Sequence, residues 1–367
     1  MSEVAGPVRP TELPVRLIDP NGVPVKAKRT AGFVLPEAEV LVRLYRDMVL
    51  ARRFDTQVTA LTRQGRLATY PSALGQEACE IGTTAAMGSD DWLFPTYRDT
   101  IALLSRGVTP VEILAFFRGD WHTGFDPNTH KIAPQSTPLA TQALHAVGLA
   151  TAAKLRGDQV VAVTFLGDGS TSEGDAHEAF NFASVWAAPV VFVIQNNQWA
   201  ISVPVAKQSH ARTLADRAIG YGMPGYYVDG NDVAAMFAVV SASVENARRG
   251  NGPTMIEGLT YRIEAHTNSD DPTRYREKSE EAEWRALDPI VRLEKYLIGA
   301  GALSDAVRLE VAEAAEQLAA RTRDVMNTEP VLDPLELFDH VYTADRPALR
   351  QQRVFLENEL AQSEERK

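Results

Sequence analysis

Residues 159–202 read QVVAVTFLGDGSTSEGDAHEAFNFASVWAAPVVFVIQNNQWAIS, and the order of parts within them decides the fold. The opening QVVAVTFL is apolar and β-branched without alternation, which suits a strand buried on both faces of a parallel sheet. Gly167-Asp168-Gly169 then turns the chain. Residues 173–186 follow, with Ala176, Ala179, Phe180 and Ala183 at helical spacing, and Pro189 interrupts that helix. A second apolar run, PVVFVIQ at 189–195, ends at Asn196-Asn197. Strand, turn, helix and strand make a βαβ unit, whose crossover is right-handed. The fold class expected is α/β: a doubly wound, mostly parallel sheet flanked by helices.

Working outward, residues 254–257 predict a further short strand. Upstream, Pro36 opens a helix whose apolar positions, from Val40 and Leu44 to Val58 and Leu61, recur every three or four residues until Gly65. An Ala- and Gly-rich helix is expected over about 138–155, packed closely on a neighbour. Residues 277–326 read as helical, with a charged amphipathic stretch at 303–325. These elements predict three regions: an extended N-terminal arm at 1–35, one α/β domain at 36–345, and a polar C-terminal tail at 346–367 that frays. The Pro- and Gly-rich arm either ends the chain partly ordered or packs on a partner subunit.

Composition narrows the function classes. The 367 residues carry 37 Lys and Arg against 48 Asp and Glu, a net charge of −11, so no overall field draws in a phosphate backbone. Nucleic acid is therefore not an expected partner. Cys79 is the only cysteine, which excludes a disulfide framework within the chain and a CxxC site. No run of about 18 apolar residues spans a membrane, and the first residues fit neither a secretory signal nor a transit peptide. Cytoplasm is the expected compartment.

Ligands of a doubly wound sheet bind beyond the carboxyl ends of its strands. Asp168 and Asn197 both fall there, on turns that the βαβ unit brings side by side. A carboxylate and an amide carbonyl are too few for an all-protein Ca²⁺ cage but suit Mg²⁺ shared with substrate phosphates. Gly167 and Gly169 let backbone N–H groups approach an anion, Ser170, Thr171 and Ser172 add hydroxyls, and the following helix points its positive end at the same place. Ser172 stands where GxGxxG would need its third glycine, which disfavours a dinucleotide fold and the oxidoreductase reading that goes with it.

The GDG turn and paired asparagines resemble the thiamin diphosphate motif. Together with LFPTYRD (93–99), YVDGNDV (227–233) and AHTNSDDPTRYR (265–276), the stretch is similar to the α subunit of the decarboxylating first component, E1, of 2-oxo acid dehydrogenases. The resemblance runs from about residue 36 to 345. DAHEAFNFA and PLATQ lean toward the branched-chain type, with pyruvate dehydrogenase the near alternative and acetoin dehydrogenase a more distant one. It implies thiamin diphosphate and Mg²⁺ as cofactors, with Asp168, Asn197 and the Trp199 carbonyl on the metal. Tyr97 and Arg98 match the pair that contacts the diphosphate, and Arg98 would otherwise pair with Asp99 at the surface. Gln195 stands where animal branched-chain enzymes have an arginine facing the phosphate. Thr137 and Leu139 match positions lining the aminopyrimidine, while Ser136, Pro138, Thr141 and Gln142 match a K⁺ site found in part of the family. Thr69, Tyr70 and Tyr97 match the substrate entry, and the small Thr69 leaves room for a branched tail.

Of the seven histidines, His266 matches the catalytic position, a proton donor or electrostatic partner for the developing alkoxide. His122 and His130 lack metal-ligand spacing, His145 and His177 lie within helices, and His210 and His340 have no supporting motif. The aminopyrimidine needs a carboxylate that no glutamate here is placed to give. The family carries it on a separate β subunit, so the resemblance implies an α₂β₂ tetramer whose product passes to the lipoyl group of an E2 acyltransferase. A scaffold that has kept only the fold is the rival from another class, and intact Asp168, Asn197, Arg98 and His266 argue against it.

Overall fold

The computed structural model describes residues 9–120, 124–328, 330, 332–339 and 341–365. Two compact units divide at Asn327. In the larger unit the strands are β1 (Trp92–Phe94), β2 (Ala162–Gly167), β3 (Val190–Asn196), β4 (Trp199–Ala200), β5 (Val203–Pro204), β6 (Gly225–Asp229) and β7 (Thr254–Leu259). Five of them form one parallel sheet in the order β1-β2-β3-β7-β6, and β4 pairs with β5 in a small antiparallel ribbon. The α/β expectation holds.

The helices are α1 (Ala38–Arg63), α2 (Glu77–Ala85), α3 (Thr100–Ser105), α4 (Pro110–Arg118), α5 (Pro127–His130), α6 (Thr141–Arg156), α7 (Gly174–Val185), α8 (Arg217–Tyr221), α9 (Val233–Arg248), α10 (Lys278–Arg285), α11 (Pro289–Gly299) and α12 (Asp305–Asn327). Period-two alternation sorts the central strands between two cores. Val161, Val163, Phe165, Val191 and Val193 pack with residues of α1, α2 and α9. Ala162, Leu166, Val190, Phe192 and Ile194 pack with the alanines of α6 and α7. Ala143, Ala146, Ala150, Ala176, Ala179 and Ala183 are all buried, so those two helices sit close to the sheet, and Phe180 meets Phe192 edge-on at 4.9 Å. The same alternation aims Gln195 toward α2 and Asn196 toward the opposite face.

The sheet contains two strands that the sequence pattern did not reveal. β1 is three residues long, and β6 is an edge strand with half-buried tyrosines, so neither shows a long apolar run. Val15, Leu17 and Ile18 of the arm are buried on this edge. Val15 bridges Val228 in parallel, Arg16 pairs with Asp229 at 2.7 Å, and Asp232 accepts the N–H groups of Leu17 and Ile18.

The C-terminal unit, 328–367, contains a 3₁₀ turn at Pro334–Phe338 and a helix, α13 (Pro347–Glu365). The compact domain thus ends earlier than the expected residue 345, and much of the expected fraying tail is helical. Strong helix formers fill α13, and Arg353 adds ion pairs to Glu357 one turn on and to Asp339. No described helix is long and apolar enough to cross a membrane.

Candidate active site

A cavity of about 730 Å³ opens at the carboxyl ends of β2 and β3. Gly167, Asp168, Gly169, Ser170, Gln195, Asn197 and Trp199 line it, as do Tyr97, Arg98, Thr137, Leu139, Thr69 and His266. Of the predicted site residues, Tyr70, Thr171 and the four matched to K⁺ (Ser136, Pro138, Thr141 and Gln142) do not line it. Tyr70 is buried, and its hydroxyl donates to Asp55 Oδ1 at 2.8 Å while its ring packs on Phe117 at 5.4 Å. Asp55 holds the 70–73 segment from inside, also accepting from Ser72 Oγ and the Ala73 N–H. Burial pushes the Asp55 carboxyl up to about 6 against these hydrogen bonds.

Asp168 lies just past β2 and is buried. Its Oδ2 accepts from Gln208 Nε2 at 3.0 Å, and burial raises its carboxyl to about 6. Asn197 follows β3. Its Nδ2 donates to Gln76 Oε1 at 2.7 Å, which leaves Oδ1 as the acceptor of the amide. The next turn is tight: Gln198 has φ +74°, supported by hydrogen bonds from its N–H and Nε2 to Asn196 Oδ1. The Trp199 carbonyl already accepts from Arg262 Nη1 at 3.1 Å, so of the three predicted metal oxygens it alone shares its position with a guanidinium.

The turn between Asp168 and α7 is shaped for close approach. A Cβ on Gly169 would lie 2.6 Å from Ala200 Cβ, so the turn sits directly on β4. A Cβ on Gly167 would meet only Ser170 Oγ at 3.9 Å, leaving that side open to the cavity. Among the described residues no group of three or more His, Cys, Asp or Glu forms a metal cage. Two oxygen-bearing side chains beside a glycine turn and a helix N-terminus fit a hard cation whose other ligands come with a diphosphate.

Arg98 is buried, and no ion pair joins it to Asp99. It donates to the Ser72 carbonyl at 2.8 Å, to the His266 carbonyl at 3.1 Å, and to His266 Nδ1 at 3.2 Å. Tyr97 meets the His266 ring edge-on at 6.2 Å. Gln195 lines the cavity, and both ends of its amide are engaged within the protein, with Asp99 Oδ1 and with Gln76. Burial raises Asp99 to about 6 as well.

His266 lies in the loop after β7. Burial first, then the guanidiniums of Arg98 and Arg262, lower its pKa to about 4. Nδ1 faces two donors, Arg98 at 3.2 Å and Arg262 at 3.5 Å, so it is the acceptor and Nε2 carries the proton. Imidazole labelled with ¹⁵N should show the neutral Nε2–H tautomer at pH 5.5 in the isolated chain. Protonation of this ring near pH 6.5 would contradict the assignment. Of the other histidines, His130 lies 3.9 Å from Glu112, His177 bonds Tyr221, and His145 and His210 are exposed. His122 and His340 lie outside the described residues.

Sequence reasoning missed Gln76, Gln208, Arg262 and Asn268. Asn268 Oδ1 accepts from Thr69 Oγ1 at 3.0 Å and the Tyr70 N–H at 3.2 Å, tying the His266 loop to the cavity wall. Arg262 carried a signal, a lone cation in an apolar stretch just past a strand. Gln76 carried a weaker one, at the Gly75–Glu77 entry to α2. Gln208 and Asn268 carried none.

The sequence matches the family model described as Dehydrogenase E1 component over residues 45–332. It is 47% identical over 351 residues to the 3-methyl-2-oxobutanoate dehydrogenase subunit alpha of Mycobacterium tuberculosis, covering 96% of this chain and 95% of that one. The pyruvate dehydrogenase E1 component subunit alpha of Acholeplasma laidlawii is 40% identical over 339 residues, covering 91% and 96%. Its counterpart in Staphylococcus epidermidis is 42% identical over 294 residues, covering 79% of each chain.

Proposed function

This chain belongs to the dehydrogenase E1 component family as an α subunit, and from that premise we propose that, with a β subunit, it decarboxylates branched-chain 2-oxo acids and passes the acyl group to the lipoyl arm of an E2. Thiamin diphosphate dependence comes with the family. The observation that carries the site reading is the meeting of Asp168 and Asn197, from neighbouring strands, in one cavity with Arg98 and His266.

Asp168, Asn197 and the Trp199 carbonyl would hold Mg²⁺, and the N–H groups of 167–170 with Arg98 would hold the diphosphate. When bound, the cofactor supplies the carbon nucleophile and the electron sink for loss of carbon dioxide. Arg98 anchors the anionic end from a fixed position in the wall. His266 Nε2–H would serve as a neutral donor to charge developing on the substrate oxygen. Thr69, Phe116, Phe117 and Leu139 give the cavity apolar surface for an acyl chain. K⁺ at Ser136, Pro138, Thr141 and Gln142 would satisfy Gln142 Oε1, which is buried without a donor.

The β subunit has a place in this reading. Leu139, Ile201 and Val203 line the cavity yet are substantially exposed, an apolar rim that a partner would cover. Glu173 is the only glutamate on the cavity wall among the described residues, and it adjoins the glycine turn rather than the apolar side. The activating carboxylate would come from the β chain.

The higher identity and coverage of the 3-methyl-2-oxobutanoate dehydrogenase subunit favour the branched-chain type. Steady-state comparison of 3-methyl-2-oxobutanoate, 4-methyl-2-oxopentanoate and pyruvate on the α–β complex, with an artificial electron acceptor, should give the higher kcat/KM for the branched acids. Preference for pyruvate would assign the pyruvate dehydrogenase reading instead.

A further inference from the structure

Four polar side chains run unbroken from the start of α3 to the end of β3. Gln195 Nε2 donates to Asp99 Oδ1 at 2.6 Å. Gln76 Nε2 donates to Gln195 Oε1 at 2.8 Å, and Asn197 Nδ2 donates to Gln76 Oε1 at 2.7 Å. All four are at least nine-tenths buried.

A primary amide has a donor end and an acceptor end, and nothing within it decides which way it faces. An ionised carboxylate only accepts. Asp99 is fixed in that role from its other side, where Oδ2 takes the Thr96 N–H at 2.6 Å. Gln195 must therefore turn its NH₂ toward Asp99, which presents its carbonyl to Gln76. Gln76 must answer with its own NH₂, which presents its carbonyl to Asn197. Asn197 is left to donate NH₂ inward, and its Oδ1 is the end that remains, held by the Trp199 N–H at 3.2 Å.

We propose that Asp99, Gln195 and Gln76 are positioning residues, a polarity relay that makes Asn197 offer oxygen rather than NH₂ to a metal-bound diphosphate. The inference rests on the reading of Asn197 as a metal ligand. A reversed amide would aim its donor end at the cation, and reversing only one amide would set like ends together in a buried place. The relay also accounts for Gln195, whose two amide ends are engaged within the protein while the residue lines the cavity.

The relay predicts a rescue that simple packing does not. Asp99→Asn supplies an NH₂ where the carboxylate was. With one amide oxygen still accepting from Thr96, Gln195 and Gln76 reverse, and Asn197 either turns its NH₂ outward against the Trp199 N–H or sets it against the NH₂ of Gln76. Asn197→Asp alone sets two acceptors against each other at Gln76. The double variant moves the carboxylate to the far end, where it accepts from the reversed Gln76 and still offers oxygen outward.

The test is calorimetric titration of Mg²⁺ and thiamin diphosphate into the α–β complex at pH 7.5, with thermal melting of each variant as a control on folding. Each single variant should weaken Mg²⁺ binding by roughly 10- to 100-fold, the cost of losing a ligand's supporting partner. The double variant should return to within about threefold of the parent. Unchanged binding in Asp99→Asn, or a double variant as weak as the singles, would overturn the relay. Should Asp99→Asn fail to assemble, Gln76→Leu, which ends the relay one link from Asn197, is expected to give the same loss with KM for the cofactor rising more than kcat falls, and parent-like affinity there would equally overturn it. If the parent complex itself binds no Mg²⁺–thiamin diphosphate, the ligand reading of Asn197 fails and the relay with it.

Discussion

Asp168→Ala should weaken Mg²⁺-dependent binding of thiamin diphosphate to the α–β complex by more than roughly 100-fold, beyond what removing a ligand's supporting partner costs. The site contains few anionic oxygens for a cation. Asn197 contributes a neutral amide and Trp199 a carbonyl already engaged by Arg262, so Asp168 carries most of the charge that a divalent ion would meet. The same substitution should not destabilise the metal-free chain. Burial raises the Asp168 carboxyl from 3.8 to about 6, so the folded state binds a proton more tightly than the unfolded one. Above pH 6 both states are ionised and the folded state carries the whole penalty, on the order of 3 kcal/mol, which removal of the carboxylate relieves. Below about pH 4 both are protonated and the penalty vanishes. Binding and metal-free stability should thus move in opposite directions at pH 8. Calorimetry and chemical denaturation of the same variant check the pair, and loss of both together would mean that Asp168 is a structural residue.

His266→Ala should lower kcat by about 10²- to 10⁴-fold, the range for removing a positioned acid or base, with a smaller effect on cofactor affinity. His266→Gln keeps an N–H donor and should recover part of the loss. Burial and two guanidiniums hold the ring neutral down to about pH 4, so the acid limb of the parent's pH–rate profile should not arise from this imidazole. The profile of His266→Gln should keep the parent's acid limb. A limb near pH 6.5 in the parent that disappears in the variant would show that an imidazolium does the work.

The βαβ unit was legible because β2 and β3 are uninterrupted apolar runs and the residues that end them are polar. Asp168 and Asn197 could be placed by that logic alone. Arg98 and His266 needed the resemblance, since an Arg-Asp pair and a loop histidine have ordinary readings by themselves. The burial of Tyr70 was not legible because it depends on Asp55, fifteen residues upstream and inside the core. Gln195 faces inward for a similar reason: Asp99 and Gln76, distant in sequence, take both ends of its amide. Strand β6 and the helix of the C-terminal unit were missed for other causes, the one an edge strand without a long apolar run and the other helical through propensity more than burial.

In the proposed site a divalent cation on Asp168 and Asn197 tethers the cofactor. Titration of thiamin diphosphate into the α–β complex, once with Mg²⁺ and once with a chelator, tests it most directly. Saturable binding is expected with the metal, and at least tenfold weaker binding without it. Equal affinity in the two titrations would contradict it.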